Sequence, residues 1–407
     1  MTSFPVPDPA ATPVPGAAAT SAPGAATRAP ALPPGRPVRV GIIGLSASGG
    51  WAARAHVPAL RALAGYRQGF ELRALAASSP VRAAAAAQAY DVPLAFGTPG
   101  ELAACDEVDL VVVSVRLPHH GELVRAAIDA GKPVLCEWPL GRDLAEARDL
   151  AAGARARGLL TAVGLQARSA PALRYVADLI TQGYAGEVLS ATLVGSGGSW
   201  GATIPAAGAR YLADPAAGAT MLTIPFGHTV DGLALALGEP AVQHATLATR
   251  RPRVLDAESG DMVPMTAADQ IAVTAALPGG AVLSAHYRGG LSRGTNLRWE
   301  INGTEGDLVI EAPRGHLQMA LPAVSGGHGP DRELSPLEVP ASYHRVPALD
   351  GDRAGPAYNV AHAYAQLLDD LASGTALVPD FDHAARRHQM LQSILDAAGQ
   401  PWPSRGA

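Results

Sequence analysis

The feature that most constrains this chain is a short β-branched run that ends in a glycine-rich turn. The run Val-Arg-Val-Gly-Ile-Ile occupies 38–43, and such a run is typical of a buried parallel strand. It leads into Gly44-Leu45-Ser46-Ala47-Ser48-Gly49 and then into a helical stretch over 52–63. Strand, turn and helix in this order are the context that the dinucleotide-binding pattern G-x-G-x-x-G requires. The sequence therefore predicts that these six turn residues bind the diphosphate of a dinucleotide.

One position of the pattern departs from it, because Ser46 stands where the middle glycine is expected. The first glycine permits the tight turn, the middle one lets the diphosphate approach the backbone, and the third lets helix and strand pack closely. The Cβ of Ser46 weakens the site by crowding it, or its hydroxyl donates to a phosphate oxygen. A glycine-rich turn without a ligand is the alternative to the whole motif, and the parallel-sheet context favours binding.

The end of the second predicted strand, at 71–77, bears on the choice between NAD and NADP. NAD sites usually carry an acidic residue there, which grips the ribose 2′-hydroxyl. Here the strand continues into Ser78-Ser79-Pro80-Val81-Arg82, without a carboxylate. Ser78, Ser79 and Arg82 can hold a 2′-phosphate, so the sequence favours NADP over NAD. An ordinary solvated arginine in the first turn of a helix is the alternative for Arg82.

The order of predicted elements divides the chain in two. Strands alternate with helices up to about residue 163, the pattern of a doubly wound parallel sheet, and we predict a Rossmann domain over 37–163. Beyond it the strands are grouped, which predicts an α+β domain over 164–400 with a large open mixed or antiparallel sheet. Residues 322–355 are expected to be an irregular loop, and the Pro/Ala-rich residues 1–36 to be disordered.

Composition argues against several classes of partner. The chain has 31 Lys and Arg against 36 Asp and Glu, a net charge of −5, so no basic surface for nucleic acid is expected. No apolar run reaches the length of about 18 residues that a membrane helix needs. The two cysteines lie outside any C-x-x-C motif, and no metal site is predicted. We therefore expect a cytoplasmic protein that acts on a small molecule.

A series of further motifs resembles one oxidoreductase family. Besides the turn, they are His56-Val57-Pro58-Ala59-Leu60, the segment 113–122, the segment 130–140 with its Glu137-Trp138-Pro139-Leu140, Gly164-Leu165-Gln166-Ala167-Arg168, the segments 183–188, 218–231 and 299–307, and the last helix. In this order they resemble the Gfo/Idh/MocA oxidoreductases, and the resemblance covers nearly all of 38–398. It implies oxidation or reduction of a hydroxyl or keto group on a sugar or polyol with NAD(P), in a homodimer or homotetramer. It also places Val115, Pro118, His119 and Glu137 beside the cofactor.

Two departures from the family concern its catalytic residues. Glu137-Trp138-Pro139 replaces the family's Glu-Lys-Pro, so the usual catalytic lysine is absent, and Thr223 stands near the place of the usual aspartate. Both departures resemble the subgroup around the fungal galactose-pathway repressor, which keeps the fold and a dinucleotide site but acts as a regulator. The sequence leaves two hypotheses, an NAD(P)-dependent oxidoreductase and, as the alternative, a catalytically silent NAD(P)-binding regulator or sensor.

The remaining candidates surround His228-Thr229-Val230-Asp231, which matches the family's H-x-x-D. His228 is the predicted proton acceptor, since histidine titrates near neutral pH, with Asp231 on the same helical face; packing at a helix start is the alternative. Trp138 either stacks against a sugar or fills the space between domains. Arg168 is expected in the substrate pocket. As substitutes for the missing lysine we consider Arg116, Arg168 and Arg210.

Overall fold

The first half of the chain forms a six-stranded parallel sheet with helices on both faces. A computed structural model describes residues 35–400 except 206, 320 and 354. The strands are β1 (Val38–Ile43), β2 (Phe70–Ala76), β3 (Leu94–Phe96), β4 (Leu110–Val113), β5 (Val134–Glu137) and β6 (Thr161–Gly164). Their order is β3-β2-β1-β4-β5-β6, so the sheet reverses its direction of growth at β1. This confirms the predicted Rossmann topology.

The helices of this half alternate with its strands along the chain. They are α1 (Val57–Ala62), α2 (Pro80–Tyr90), α3 (Pro99–Ala104), α4 (His120–Asp129) and α5 (Leu144–Ala156). The side chains of Ser79, Thr98 and Asp143 accept backbone hydrogen bonds at the starts of α2, α3 and α5. The turn before α1, Ala52–His56, has the wider hydrogen-bonding pattern of a π-helix, which is frequent at functional sites.

The second half is built on a large mixed sheet. Its strands, with those of a small companion sheet, are β7 (Val188–Gly197), β8 (Thr203–Ile204), β9 (Ala241–Ala248), β10 (Arg253–Asp256), β11 (Met262–Pro264), β12 (Gln270–Ala276), β13 (Val282–Gly289), β14 (Leu297–Gly303), β15 (Gly306–Ala312), β16 (Ala323–His328) and β17 (Ser335–Pro336). The eight-stranded sheet has the order β17-β16-β15-β14-β7-β13-β12-β9, with β7 and β13 parallel. This confirms the predicted mixed α+β architecture.

Four helices connect the large sheet to the rest of the molecule. They are α6 (Pro171–Thr181), α7 (Gly227–Leu237), α8 (Pro356–Ser373) and α9 (Phe381–Ala397). Helix α8 packs against α1, and α9 packs against both α5 and β9. The last two helices therefore return to the parallel sheet and hold the two halves together around a buried interface.

Two expectations from the sequence need comment. The segment 322–355 is not wholly irregular, because β16 and β17 extend the large sheet through it. Composition alone did not predict β16, since the strand contains two glycines. The predicted disordered residues 1–34 lie outside the described residues. Arg36, at the end of that segment, donates two hydrogen bonds to Asp109 at 2.6 and 2.9 Å. No described helix is long and apolar enough to span a membrane.

Candidate functional site

The glycine-rich turn lies at the carboxyl end of β1, where the sheet reverses. Gly44 has a φ of +101°, and a Cβ there would stand 2.3 Å from the carbonyl oxygen of Ser114 after β4. Only glycine fits this position, because both the backbone conformation and the close approach of β4 exclude a side chain. Open α/β sheets bind their ligands at this switch point, outside the carboxyl ends of the strands.

The tip of the turn is exposed and internally hydrogen-bonded. The Gly49 N–H donates to the carbonyl of Ser46 at 3.0 Å, and the Ser48 N–H donates to the Ser46 hydroxyl at 3.3 Å. Ser46, Ala47 and Ser48 face solvent. The hydroxyl of Ser46 is therefore exposed at the turn, and its Cβ does not crowd the interior.

Arg54 is a cation at this turn that sequence reasoning missed. Its Nε donates to the carbonyl of Gly50 at 3.3 Å, and the side chain is exposed. The signal available in the sequence was its position in the first turn of the helix after the motif. A guanidinium there adds positive charge where a diphosphate would bind.

The end of β2 lies beside this turn, since Ile43 pairs with Ala76. The Ser79 hydroxyl caps α2 by accepting the Arg82 N–H at 3.3 Å, and Arg82 Nη1 donates to the hydroxyl of Ser78 at 3.1 Å. Ser78 and Arg82 are exposed. Ser78, Ser79 and Arg82 therefore lie together, as predicted from the sequence. The guanidinium of Arg82 contacts the Ser78 hydroxyl, whereas the Ser79 hydroxyl already caps the helix.

The ends of β4 and β5 form the other side of the edge. Val115 and Pro118 are partly buried, whereas His119 is exposed. The ring of His120, which is buried, lies 3.1 Å from the carbonyl of Val115 and 2.8 Å from that of Pro139. Burial lowers the pKa of His120. A neutral imidazole carries one N–H, so in that form the ring donates to only one of the two carbonyls.

Glu137 ends β5, but its carboxylate turns away from solvent. The Nε2–H of His56 donates to Glu137 Oε1 at 3.0 Å, and the hydroxyl of Tyr364 donates to His56 Nδ1 at 2.8 Å. A Cβ on Gly164 would lie 2.7 Å from Glu137 Oε1. The Glu137 side chain thus joins β5 to the turn before α1 through His56, and to α8 through Tyr364.

Trp138 packs between the two halves of the chain. It is 5% exposed, its indole N–H donates to the carbonyl of Thr223 at 2.6 Å, and its ring lies 4.8 Å from that of His388 in α9. The peptide bond between Trp138 and Pro139 is cis. Of the two roles the sequence leaves open, this position favours filling the space between domains over stacking on a ligand.

His228 lies at the start of α7, after the wide turn Leu222–Phe226, and is fully buried. Neither ring nitrogen has a hydrogen-bond partner among the described residues. Burial, reinforced by the neighbouring His316, lowers the pKa of His228 to about 3, with Asp231 acting weakly in the opposite direction. The ring is therefore neutral at physiological pH.

Asp231 belongs to a buried charge network rather than to an open pocket. It accepts hydrogen bonds from His383 Nε2 at 2.7 Å and from Arg387 Nε at 3.1 Å, and Arg168 lies 3.6 Å away. Burial alone raises the pKa of this carboxyl, but Arg387, His383 and Arg168 outweigh it and hold the pKa well below its usual range. Asp231 thus pairs with Arg168 and with His383 and Arg387 of α9, and these contacts hold α9 against α7.

Comparisons with known proteins agree with this geometry. Residues 38–165 match the family model described as an oxidoreductase family with an NAD-binding Rossmann fold, and 171–312 match the C-terminal domain of Gal80p. The N-terminal domain belongs to the Gfo/Idh/MocA family, and the C-terminal domain is Gal80p-like. The resemblance predicted from the motifs is therefore confirmed.

Individual relatives include a regulator and an enzyme. The chain is 29% identical over 307 residues to the galactose/lactose metabolism regulatory protein GAL80 of Saccharomyces cerevisiae, covering 71% of this chain and 70% of that protein. It is 36% identical over 210 residues to dehydrogenase aclE of Aspergillus oryzae, covering 51% of this chain and 57% of that one. A super-repressor mutant of S. cerevisiae Gal80p has the same fold, with a TM-score of 0.80 at 24% identity, over 89% of this chain and 96% of that one.

In this structure the region of the catalytic groups that the resemblance predicts is closed. Trp138 occupies the lysine position, and the hydroxyl of Thr223 donates to the carbonyl of Gly218 at 2.7 Å instead of facing a ligand. Together with the burial of His228, these contacts leave no titratable side chain of this set exposed to a cofactor. Among the described residues, no group of three or more His, Cys, Asp or Glu side chains is arranged to hold a metal ion.

Proposed function

We propose that this Gfo/Idh/MocA protein binds NAD(P)(H) and transfers hydride between the nicotinamide and a hydroxyl or keto group of a sugar or polyol. The observation that carries the proposal is the turn at Gly44, which lies at the reversal of the strand order with its serines exposed. The identity to a fungal dehydrogenase supports the oxidoreductase half of the proposal.

The residues at this edge fit a dinucleotide. Gly49 and Gly50 have φ values of +102° and +108°, and a Cβ at either would meet no atom within 4 Å, so the backbone is open to a ligand. The turn and the start of the following helix would hold the diphosphate, with Arg54 neutralising its charge. Ser78 and Arg82 would hold a 2′-phosphate. The bound nicotinamide supplies or accepts the hydride.

The chain's own contribution is to hold the substrate and move its hydroxyl proton. His228 is the proposed proton acceptor. With its present burial its pKa of about 3 makes it a weak base at neutral pH. Because a general base works best with a pKa near the working pH, catalysis requires the surroundings of His228 to open to substrate.

The assay is reduction or oxidation of the cofactor with a panel of sugars, polyols and their keto forms. We expect turnover with one class of substrate, reduced about 100-fold or more by His228→Asn, because general acid–base groups contribute about that much. Cofactor affinity should remain unchanged in the variant. Tight cofactor binding without turnover of any member of the panel would contradict the oxidoreductase proposal.

Arg82→Ala tests the cofactor preference. We expect the Kd for NADPH to rise about 10- to 100-fold, because a charge-assisted hydrogen bond to phosphate contributes about 1.5–3 kcal/mol. The Kd for NADH should not change, since NADH lacks the 2′-phosphate. Calorimetric titration measures both affinities. An equal loss for the two cofactors would show that Arg82 acts on the helix and not on the 2′-phosphate.

A cofactor-binding regulator is the second candidate. It is favoured by the complete burial of His228 and by Trp138 in place of the family's lysine. It predicts that the cofactor binds, that no substrate is turned over, and that a protein partner associates only when cofactor is bound. An Arg54→Glu variant, which reverses an exposed charge beside the proposed diphosphate site, should then lose the partner. Turnover that depends on His228 would exclude this candidate.

Self-association is a further part of the proposal. The face of the large sheet turned away from the helices carries exposed polar residues on the neighbouring strands β7, β13, β12 and β9: Thr192, Ser284, His286, Thr274 and Thr246. An open face of this kind suits packing against the same face of a second copy. Sedimentation equilibrium would measure the mass, and a monomer at micromolar concentration would contradict it.

A further inference from the structure

Three arginines were candidates to replace the missing lysine, and two of them, Arg168 and Arg210, form ion pairs with buried aspartates. Arg168 donates to the carbonyl of Asp231 at 3.1 Å and pairs with its carboxylate. Arg210 donates to the carboxylate of Asp256, which is buried, and to the hydroxyl of Ser259. Each neutralises an acidic side chain of the C-terminal domain. Neither is therefore free to receive a ligand.

Arg116 is different, because within the described part of the chain no carboxylate lies within ion-pair distance of it. It follows β4, is exposed, and its guanidinium lies 5.7 Å from the centre of the Tyr211 ring. β4 lies across the switch point from β2. Since β2 carries the proposed adenosine end of the cofactor, the nicotinamide end extends towards β4 and Arg116.

Tyr211 is held in place from the other domain. The carbonyl of Leu212 accepts the indole N–H of Trp200 at 3.0 Å, and that of Ala213 accepts the N–H of Ala267 at 3.0 Å. A little further on, a Cβ on Gly218 would lie 2.9 Å from the Leu117 side chain, so this segment is seated directly on the end of β4. The Arg116–Tyr211 pair therefore bridges the two domains over the carboxyl edge of the parallel sheet.

The chemistry of the pair favours one class of ligand. The ring of Tyr211 attracts the guanidinium of Arg116, and since no described carboxylate is within ion-pair distance, the N–H groups of Arg116 remain available to a ligand. Those N–H groups match the two oxygens of a carboxylate, a fit that an ammonium group lacks. The phenol hydroxyl of Tyr211 makes no hydrogen bond to a described residue that would occupy it, and it supplies a further donor or acceptor for a sugar hydroxyl.

We propose that Arg116 and Tyr211 bind the carboxylate of the substrate, so that the sugar or polyol taken by this site is a sugar acid. The inference rests on the proposed function, because it assumes a substrate bound beside the cofactor. It gives the site a positive charge that follows β4, whereas the family's lysine position, held here by Trp138, follows β5.

The test is calorimetric titration of the protein saturated with NADP+, with D-gluconate and D-glucuronate against neutral D-glucose. We expect the acids to bind about 10-fold or more tightly than glucose, a preference lost in Arg116→Met and weakened in Arg116→Lys, which keeps the charge but not the planar fork. Tyr211→Phe should reduce affinity for all three sugars and leave the preference for acids. Arg386→Met, a matched change at an exposed arginine of α9, should alter none of these affinities.

Cofactor affinity, measured first on each variant, separates this inference from the proposed function. If wild-type protein binds no cofactor, the proposed function fails. If cofactor binds but acids and glucose bind equally, or if Arg116→Met keeps the preference, only the carboxylate site fails. A loss of NADP+ affinity in Arg116→Met without an acid preference in the wild type would assign Arg116 to the cofactor phosphates and overturn the inference. Thermal melting of each variant confirms that it is folded.

Discussion

We expect the protein to lose about 5 kcal/mol of stability for each pH unit below 6.5, because four buried histidines must take up protons on unfolding. Burial lowers the pKa of His228 and His388 to about 3 and that of His316 and His362 to about 4. In the unfolded chain the same rings titrate near about 6.5. Between these values the unfolded chain binds the protons and the folded one does not.

The sign follows from the lowered pKa values. Stability is complete above about pH 6.5 and falls as the pH falls, by about 1.4 kcal/mol per pH unit for each ring. By pH 5 the four rings together would remove about 8 kcal/mol, which is comparable to the whole stability of a typical domain. The carboxylate of Asp231 acts in a separate window, since its lowered pKa contributes only as the pH falls below about 3.9.

Urea unfolding followed by circular dichroism between pH 8 and pH 5 measures this loss. His362→Gln is the informative variant, because an amide can replace both ring contacts, to the Arg345 N–H at 3.2 Å and to the Tyr358 carbonyl at 2.9 Å. It should reduce proton uptake on unfolding by about one. Uptake of less than one proton per chain near pH 5.5 would show that the rings are not buried as described.

The parts of the fold that sequence predicts well are those with local signals. A β-branched run that ends in glycine identifies β1 and its turn without any distant contact. The alternation of strands and helices predicts the parallel sheet in the same way. The segment 322–355 was missed in part because Ala323–His328 contains two glycines, and its strand depends on pairing with β15. Sheet pairing there outweighed a composition typical of loops.

The candidate site was harder, since its residues are recruited across long stretches of chain. Glu137 was placed correctly at a strand end, but its carboxylate points inward and accepts from His56, which lies 81 residues earlier in the chain. His56 in turn contacts Tyr364, which is 308 residues away from it. The role of Trp138 depends on Thr223 and on His388 of α9. Periodicity and spacing in the sequence do not indicate contacts between residues so far apart. The direction of these side chains could therefore not be predicted from strand position alone.

Asp231 shows the same limit and leads to the second large effect. Its partners His383 and Arg387 lie 152 and 156 residues further along the chain. We expect Asp231→Asn to destabilise the protein by about 3 kcal/mol, because the substitution leaves the fully buried guanidinium of Arg387 with only the half-exposed Glu239 as a carboxylate partner among the described residues. Urea unfolding at pH 7.5 measures the loss. Asp149→Asn removes a carboxylate from an exposed pair with Arg125 and should change stability little.

A second substitution distinguishes loss of a charge partner from a general packing defect. If loss of the Asp231 carboxylate beside the buried guanidinium causes the effect, adding Arg387→Met to Asp231→Asn removes that buried charge and should restore part of the stability. If the defect lies in packing, the two losses should add. Glu239, the other partner of Arg387, is half exposed and can be solvated in the double variant. A loss below about 1 kcal/mol in Asp231→Asn alone would mean that water already reaches Arg387 and that the network is not a buried one.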